Sequence, residues 1–194
     1  MPNTVRSALI VISLTLLVVG MYHRILSMRT GEPLDRTKEG WPILIGLRLT
    51  GLALLALTAT WLWDPPVMAR LAFSVPEWVR WIGVGGYAFA CVLLMWMFVS
   101  LGLNLTDTVV TRRDARFVES GPYRYVRNPM YVGVLIAGLS LGFALGTCVV
   151  PLGAVVMFLI FARRTRIEEI YLIARFGDQY RDYMKRVGRF FPRP

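Results

Sequence analysis

Four long apolar runs limit the possible fold of this chain more than any other feature. They lie at residues 5–22, 41–63, 81–105 and 130–162. Each run approaches or exceeds the roughly 20 residues that an α-helix needs to cross the hydrocarbon core of a bilayer. With 56% hydrophobic and 18% charged residues, the composition is also too apolar for an ordinary soluble domain. The sequence therefore predicts a polytopic integral membrane protein of the all-α class.

The last apolar run is long enough to contain two helices. As a single helix, residues 130–162 would extend roughly 50 Å, well beyond the thickness of a bilayer core. Gly142, Gly146 and Pro151 interrupt the run near its middle. We therefore predict a short helical hairpin here and five transmembrane helices in total, followed by a cytoplasmic helical segment at the carboxy terminus. The first run is predicted to be a retained helix, because it lacks the small-residue pattern of a signal-peptide cleavage site.

The basic residues are distributed unevenly between the two predicted membrane faces. Of 22 lysines and arginines, four lie between spans one and two, five between spans three and four, and nine after span five. Only Arg6, Arg70 and Arg80 fall on the opposite side. The positive-inside rule then places the amino terminus outside and the carboxy terminus in the cytoplasm. Topology and attraction to anionic membrane lipids explain the net charge of +10, so no nucleic-acid partner is predicted.

The cysteine and histidine content predicts no metal site. Cys91 and Cys148 both lie in predicted spans without paired-cysteine spacing, and His23 is the single histidine. We predict buried, unpaired cysteines and an interfacial position for His23. The sequence contains no catalytic-triad spacing, phosphate-binding loop or dinucleotide glycine fingerprint, so hydrolase and nucleotide-binding functions have no positive support.

We interpret residues 1–194 as one membrane domain with two parts. Residues 1–103 supply three transmembrane helices, and residues 104–194 supply a half that is predicted to bind a cofactor and carry out catalysis. Pro129 suits the first turn of span four, with Asn128 as its helix cap.

Span five is predicted to continue beyond the membrane as far as Gly177, because no helix breaker lies between Pro151 and Phe176. Asp178 is predicted to cap a last helix. The larger side chains of that helix share one face, which we expect to pack against the connector at residues 104–128. This face consists of Tyr180, Tyr183, Met184 and Val187.

Arg164 and Glu168 are spaced i, i+4 and therefore project from one helical face at the predicted membrane surface. They could form part of a functional site, or they could be a local ion pair at a solvated helix end, which contributes little stability. The spacing alone does not separate these interpretations. Arg163, Arg166 and Glu169 are assigned to the solvated helix end.

A polar cluster precedes span four. Glycine and proline on both sides predict an irregular backbone, whose amide groups could bind a polar ligand. The alternative is a juxtamembrane turn with interfacial tyrosines. The cluster consists of Tyr123, Arg127, Asn128 and Tyr131, between Gly121-Pro122 and Pro129.

In their order along the chain, these segments resemble the isoprenylcysteine carboxyl methyltransferase family, which is related to the phospholipid methyltransferases. The resemblance covers about residues 104–192. It rests first on Ser120-Gly121-Pro122-Tyr123 and on Arg127-Asn128-Pro129-Met130-Tyr131-Val132-Gly133. Arg164, Glu168-Glu169-Ile170, Phe176-Gly177, Gln179-Tyr180, Tyr183 and Pro192 then follow.

The resemblance implies methyl transfer from S-adenosylmethionine to a lipophilic or lipidated acceptor, most simply the carboxylate of a prenylcysteine, at the cytoplasmic face. It implies that Arg164 is the catalytic residue beside the acceptor. The cofactor-binding residues that it implies are Arg116, Phe117, Val118, Tyr123, Asn128, Pro129, Met130, Tyr131 and Glu168.

Two positions depart from the family pattern. Asn128 replaces the usual histidine of the Arg-His-Pro-x-Tyr motif, and Ala115 stands where a histidine often begins the upstream stretch. Asparagine donates and accepts hydrogen bonds but carries no charge. A proton relay at position 128 is therefore excluded, whereas a cofactor contact is still possible.

Three other functions remain open at this point. A phospholipid amine N-methyltransferase would share the fold and the cofactor. A sterol-type reductase would bind NADPH through a similar motif, although such enzymes usually have more membrane spans. A membrane scaffold whose basic rim binds anionic lipid would bind neither cofactor.

Overall fold

The computed structural model describes residues 2–28, 41–63, 69–102 and 117–193. Within these residues it contains six α-helices and no β-strand, which confirms the all-α class. The helices are α1 (Asn3–Met28), α2 (Trp41–Trp63), α3 (Glu77–Leu101), α4 (Pro129–Leu145), α5 (Val149–Phe176) and α6 (Asp178–Arg186). Short 3₁₀ turns lie at Ala69–Leu71 and Gly121–Arg124.

Three helices are long and apolar enough to cross a membrane, at Asn3–Leu26, Ile45–Trp63 and Glu77–Leu101. Helix α4 is apolar but shorter. These helices and their apolar surfaces make the chain an integral membrane protein.

The predicted hairpin in the last apolar run is present. Helices α4 and α5 pack against each other and are joined by a tight turn, in which Gly146 adopts a φ of 72°. Glycine is favoured there because a side chain strains this left-handed conformation. Cys148 is exposed in the same turn, so the prediction that it is buried is wrong, whereas Cys91 in α3 is buried as expected.

Helix α4 lies between α3 and α5 and runs antiparallel to both. Along the α3–α4 interface, Gly83 faces Ala144 and Gly133 faces Leu94. Along the α4–α5 interface, the ring of Tyr131 stacks on that of Phe161. The end of α3, the start of α4 and the carboxy-terminal half of α5 therefore meet at one end of the bundle, which we call the basic end.

Helices α1 and α2 complete the bundle by packing on α3 and α5, respectively. At the end opposite the basic end, Arg6 Nη2 donates to the carbonyl oxygen of Trp63 over 3.2 Å. At the same end, Arg80 Nη1 donates to the carbonyl oxygen of Ala144 over 2.9 Å. Both arginines bind carbonyl groups at helix carboxy termini, where cations are stabilising. Direction therefore alternates from each of the first five helices to the next.

Small residues allow α3 and α4 to approach closely. A Cβ atom on Gly83 would lie 2.5 Å from the amide nitrogen of Ala144 and 2.7 Å from the carbonyl oxygen of Ser140. Both neighbours are backbone atoms, so they cannot move aside as a flexible side chain can. Small residues serve the same purpose at close helix contacts in other membrane proteins.

We expect Gly83→Ala to lower the free energy of unfolding by about 1–3 kcal/mol, because the added methyl group overpacks this interface. Gly85→Ala is a matched control in the same helix, since nothing lies within 4 Å of its added Cβ atom. Thermal unfolding in detergent should show a lower melting temperature only for Gly83→Ala. Equal melting temperatures for the two variants would contradict this packing.

The α5–α6 junction follows the sequence prediction in part. Gly177, with a φ of 57°, ends α5. The side chains of Tyr180 and Tyr183 are buried against the end of α5 and against Phe117. Phe117 belongs to the described part of the connector, so the predicted contact between this face and the connector is confirmed there. The prediction that Asp178 caps α6 is wrong, because it is the first helical residue and accepts a hydrogen bond from Arg181.

Candidate active site

A buried polar group lies at the basic end, between the first turn of α4 and the middle of α5. The Tyr131 hydroxyl group donates a hydrogen bond to the Glu168 carboxylate. Its oxygen lies 2.7 Å from Glu168 Oε1 and 2.8 Å from Glu168 Oε2. Arg164 Nε lies 3.1 Å from Glu168 Oε1, one helical turn away. We call these three side chains the central triad.

Arg164 and Glu168 therefore do form the ion pair that the sequence allowed as an alternative to a functional site. That alternative placed the pair at a solvated helix end, which the structure does not show. Arg164 is only 8% exposed, so the pair does not lie at a solvated helix end. Glu168 also accepts the hydrogen bond from Tyr131, on a different helix. The triad thus joins α4 to α5 where the predicted cofactor and acceptor residues meet.

An aromatic stack supports the central triad. The rings of Tyr131 and Phe161 are almost parallel, at 8°, with centroids 4.2 Å apart. Both side chains are buried in one cluster with Leu47 of α2. Pro129, buried in the first turn of α4, fixes the backbone just before Tyr131. This packing holds the Tyr131 hydroxyl group in place against Glu168.

Tyr123 occupies the 3₁₀ turn before α4, and its carbonyl oxygen accepts a 2.6 Å hydrogen bond from the Tyr183 hydroxyl group of α6. Burial raises the pKa of Tyr123 well above its usual range, and the neighbouring Tyr183 and Glu168 raise it further. The phenol therefore stays protonated near neutral pH and can act as a hydrogen-bond donor.

Glu169 is the centre of a second ionic group that the sequence analysis missed. Its Oε1 atom accepts a 2.8 Å hydrogen bond from Arg127 Nη2, and both of its oxygens bind Arg189. Glu169 is 5% exposed, so its assignment to a solvated helix end is wrong. We call Arg127, Glu169 and Arg189 the clamp. Buried carboxylates require such charge-assisted partners.

Backbone hydrogen bonds attach the end of the chain to the segment before α4. The amide of Arg127 donates to the carbonyl oxygen of Gly188 over 2.9 Å, and that of Asn128 donates to Arg189 over 3.2 Å. Arg127 Nη1 also donates to the carbonyl oxygens of Met184 and Val187. The clamp and these bonds together hold residues 187–189 against the start of α4.

Asn128 is at the predicted cap position of α4, but its side chain makes no capping hydrogen bond. Its Nδ2 atom donates instead to the carbonyl oxygen of Arg189 over 3.1 Å. The predicted position of Asn128 as the helix cap is therefore confirmed, but its side chain does not make the capping hydrogen bond. Its amide group helps to attach the end of the chain.

The remaining predicted cofactor residues are placed as follows. Met130 is partly buried against the cluster that contains Tyr131. Phe117 contacts the ring of Tyr183 with centroids 5.2 Å apart, and thereby connects to Tyr123 through the Tyr183 hydrogen bond. Val118 is half-buried beside Phe117 in the chain. Arg116 and Ala115 lie outside the described residues.

The outer surface of α5 indicates the level of the membrane boundary. Leu152, Val156 and Leu159 are exposed along one side of this helix, as a lipid-facing surface requires. Farther along, Arg163 and Arg166 are exposed. Long cationic side chains at such a boundary extend toward the headgroups. Arg164 is buried at the same level on the inward side, so the central triad is level with the first exposed arginines of α5.

The fold and this site define a class of protein: a small helical membrane protein with a buried arginine, carboxylate and tyrosine group at its basic end. The sequence model of the isoprenylcysteine carboxyl methyltransferase (ICMT) family matches residues 81–174. This interval contains Tyr131, Arg164 and Glu168. Over this interval, which is just under half of its length, the chain is similar to the isoprenylcysteine carboxyl methyltransferase family.

Two relatives illustrate the range of the similarity. Protein-S-isoprenylcysteine O-methyltransferase of Schizosaccharomyces pombe is 37% identical over 97 residues, which are 48% of this chain and 41% of the relative. Methanethiol S-methyltransferase of Pseudomonas deceptionensis is 26% identical over 194 residues, 95% of this chain and 73% of the relative.

A solved structure of the eukaryotic intramembrane Ras methyltransferase ICMT also matches. Its TM-score is 0.57 at 24% identity, over 75% of this chain and 51% of that chain. This similarity establishes the fold. The chain spans less than half the length of its Schizosaccharomyces pombe relative and about half of the solved chain.

Proposed function

We propose that the protein transfers a methyl group from S-adenosylmethionine to the carboxylate of a lipidated acceptor, with a prenylcysteine as the best-supported acceptor class. The observation that carries this proposal is the central triad, which combines a carboxylate and a guanidinium group just beyond the apolar outer surface of α5. A polar cofactor from water and an acceptor with a membrane-embedded tail could both reach such a position.

The residues near the triad fit the chemistry of the cofactor. S-adenosylmethionine supplies an electrophilic methyl group on a sulfonium sulfur when it is bound. Glu168 provides a carboxylate for its cationic groups, and the Glu168 side chain is more exposed than that of Glu169, 19% against 7%. We assign Tyr123, Tyr131 and Glu168 to this binding site, and Asn128, Pro129 and Met130 to its wall.

Phe117 and Val118 are proposed to close the same binding site from the α6 side, together with Arg116. The ring of Phe117 packs among Phe176, Tyr180 and Tyr183, so the position of this stretch depends on α6. We accordingly propose that residues 104–194 form the cofactor-binding and catalytic half of a single membrane domain. Residues 1–103 supply the first three membrane helices.

Arg164 is proposed to hold the acceptor. A guanidinium group has five N–H donors, so contact of its Nε atom with Glu168 is compatible with a two-point contact to an acceptor carboxylate. A carboxylate is already ionised near neutral pH, so no general base is required. The Arg164 side chain is largely shielded from water. A site with little water favours a reaction in which opposite charges disappear.

We also propose five membrane spans, with the basic end in the cytoplasm. The alternating direction of α1–α5 supports this topology, because it puts the carboxy-terminal ends of α1, α3 and α5 at the basic end. The apolar residues 149–162 of α5 rise only about 20 Å, which fits a short hairpin of α4 and α5. Labelling of single cysteines at positions 36 and 70 tests it: position 36 should react from the cytoplasm, and the reverse pattern would refute it.

A second candidate function is S-methylation of a small thiol. It is favoured by the match to the methanethiol S-methyltransferase, which covers 95% of this chain. A thiol with a pKa near 8.5 must lose its proton before attack, unlike a carboxylate. This candidate therefore predicts turnover that rises with pH between about 6 and 9, whereas carboxylate methylation predicts no such rise.

Binding of S-adenosylhomocysteine tests the proposed function. Calorimetric titration of the purified protein should give saturable binding, and NADPH should give none. Tyr131→Ala and Glu168→Ala should each weaken binding by about 10- to 100-fold, the usual cost of losing a hydrogen bond to a charged group. Asp182→Ala, on the exposed side of α6, is the control. Unchanged affinity in both site variants would refute the assignment.

A further inference from the structure

Residues 188–193 form a compact loop whose tip consists of Phe190 and Phe191. The chain bends sharply there and brings the carbonyl oxygen of Phe191 back to Gly188. The two residues lie so close that a Cβ atom at Gly188 would overlap this oxygen. One side of the loop is held by Arg189, which binds Glu169. The other side is held by Arg193 Nη1, which donates to the carbonyl oxygens of Met184 and Lys185 over 3.0 and 2.8 Å.

The first tip residue reaches the apolar part of α5. The rings of Phe190 and Phe158 are 5.0 Å apart, and Phe190 also packs against the cluster that contains Leu47 of α2. Phe158 precedes Arg163, the first exposed arginine at the membrane boundary of α5. The loop therefore contacts a side chain on the membrane side of that boundary.

The second tip residue points away from the protein. Phe191 is 77% exposed, although it neighbours a phenylalanine that packs on a membrane helix. Exposure of a large aromatic ring to water is unfavourable, whereas aromatic residues are common at the interface between water and lipid. The neighbouring Phe190 packs on Phe158, which directly precedes the exposed Leu159 of α5, so lipid is the partner that the position of the tip favours.

We propose that this aromatic tip inserts into the headgroup region of the bilayer and anchors the carboxy-terminal segment to the membrane. Through Arg189 and Arg193, the anchor ties α6 and the clamp to the membrane surface. Lipid supplies the apolar environment of the Phe191 ring, and the fixed loop prevents α6 from moving away from the basic end. This inference does not depend on methyl transfer.

Spin labelling in phospholipid vesicles tests the anchor. In a background of Cys91→Ala and Cys148→Ser, nitroxides are attached at Phe191→Cys, Leu159→Cys and Asp182→Cys. The ratio of oxygen accessibility to nickel-chelate accessibility should be several-fold higher at position 191 than at position 182, and nearer to the value at the lipid-facing position 159. A ratio at position 191 equal to that at position 182 would overturn the proposal.

A second measurement removes any contribution of the apolar label. Hydrogen exchange of α6 amides in vesicles should be several-fold faster in Phe191→Asp than in the wild type, because a carboxylate does not enter the headgroup region readily. Phe191→Leu should leave exchange unchanged, since leucine remains apolar. Equal exchange in the Asp and Leu variants would also overturn the anchor, whatever the outcome of the cofactor titration.

Discussion

Glu169→Ala is expected to destabilise the fold by about 3–5 kcal/mol, the usual cost of leaving buried charges without their partner. Arg127 would keep its charge at a site where its side chain is 5% exposed. The end of the chain would also lose the contact between Arg189 and α5. The melting temperature in detergent should therefore fall by many degrees.

Asp182→Ala provides the matched control, because it removes a carboxylate from an exposed ion pair with Lys185 on α6. Exposed pairs contribute little, so its melting temperature should remain near the wild-type value. A double variant, Arg127→Met with Glu169→Leu, should recover part of the loss, since it leaves fewer buried charges unpaired. If Glu169→Ala were as stable as the wild type, the clamp would not hold the fold.

Arg164→Lys is expected to reduce kcat about 100- to 1,000-fold, the scale of losing one preorganised donor at a reacting oxygen. Lysine keeps the positive charge but loses the planar pair of donors that binds both oxygens of a carboxylate. Affinity for S-adenosylhomocysteine should stay near the wild-type value. Kinetics with a prenylcysteine acceptor measures the rate of methyl transfer. Calorimetric titration measures the affinity for S-adenosylhomocysteine.

Glu168→Gln should give the opposite pattern, with weaker cofactor binding as its main effect. It keeps the size of the side chain and a hydrogen-bond acceptor for Tyr131, but removes the negative charge near the cofactor. The two variants thus separate a functional pair from a structural ion pair. Near-normal turnover and affinity in both variants would mean that the active site lies elsewhere.

The helices could be predicted from the sequence because their signals are local. Apolar runs of sufficient length gave α1, α2 and α3, and the absence of a breaker after Pro151 predicted that α5 continues to Phe176. The order of short motifs also directed attention to Tyr131 and Glu168, which the fold brings into hydrogen-bond contact. Their roles toward a cofactor remain predictions.

The clamp could not be predicted, because its members are far apart along the chain. Arg127 and Glu169 are 42 residues apart, and Glu169 and Arg189 are 20 apart. Helical spacing relates only near neighbours, so it gave Glu169 a solvated position. The hydrogen bond of the Asn128 side chain could not be predicted for the same reason, since its partner, the carbonyl oxygen of Arg189, comes from the distant carboxy-terminal loop.

Methyl transfer itself is the most direct test of the proposed function. Purified protein in lipid nanodiscs is incubated with methyl-labelled S-adenosylmethionine and four acceptors: a prenylcysteine, a fatty acid, phosphatidylethanolamine and a small thiol. We predict a base-labile methyl ester on the prenylcysteine carboxylate, formed by the wild type and strongly reduced in Arg164→Lys. Label on the phospholipid amine or the thiol alone would replace the proposed acceptor. No label on any acceptor, from protein that binds S-adenosylhomocysteine, would contradict carboxyl methyl transfer by this site.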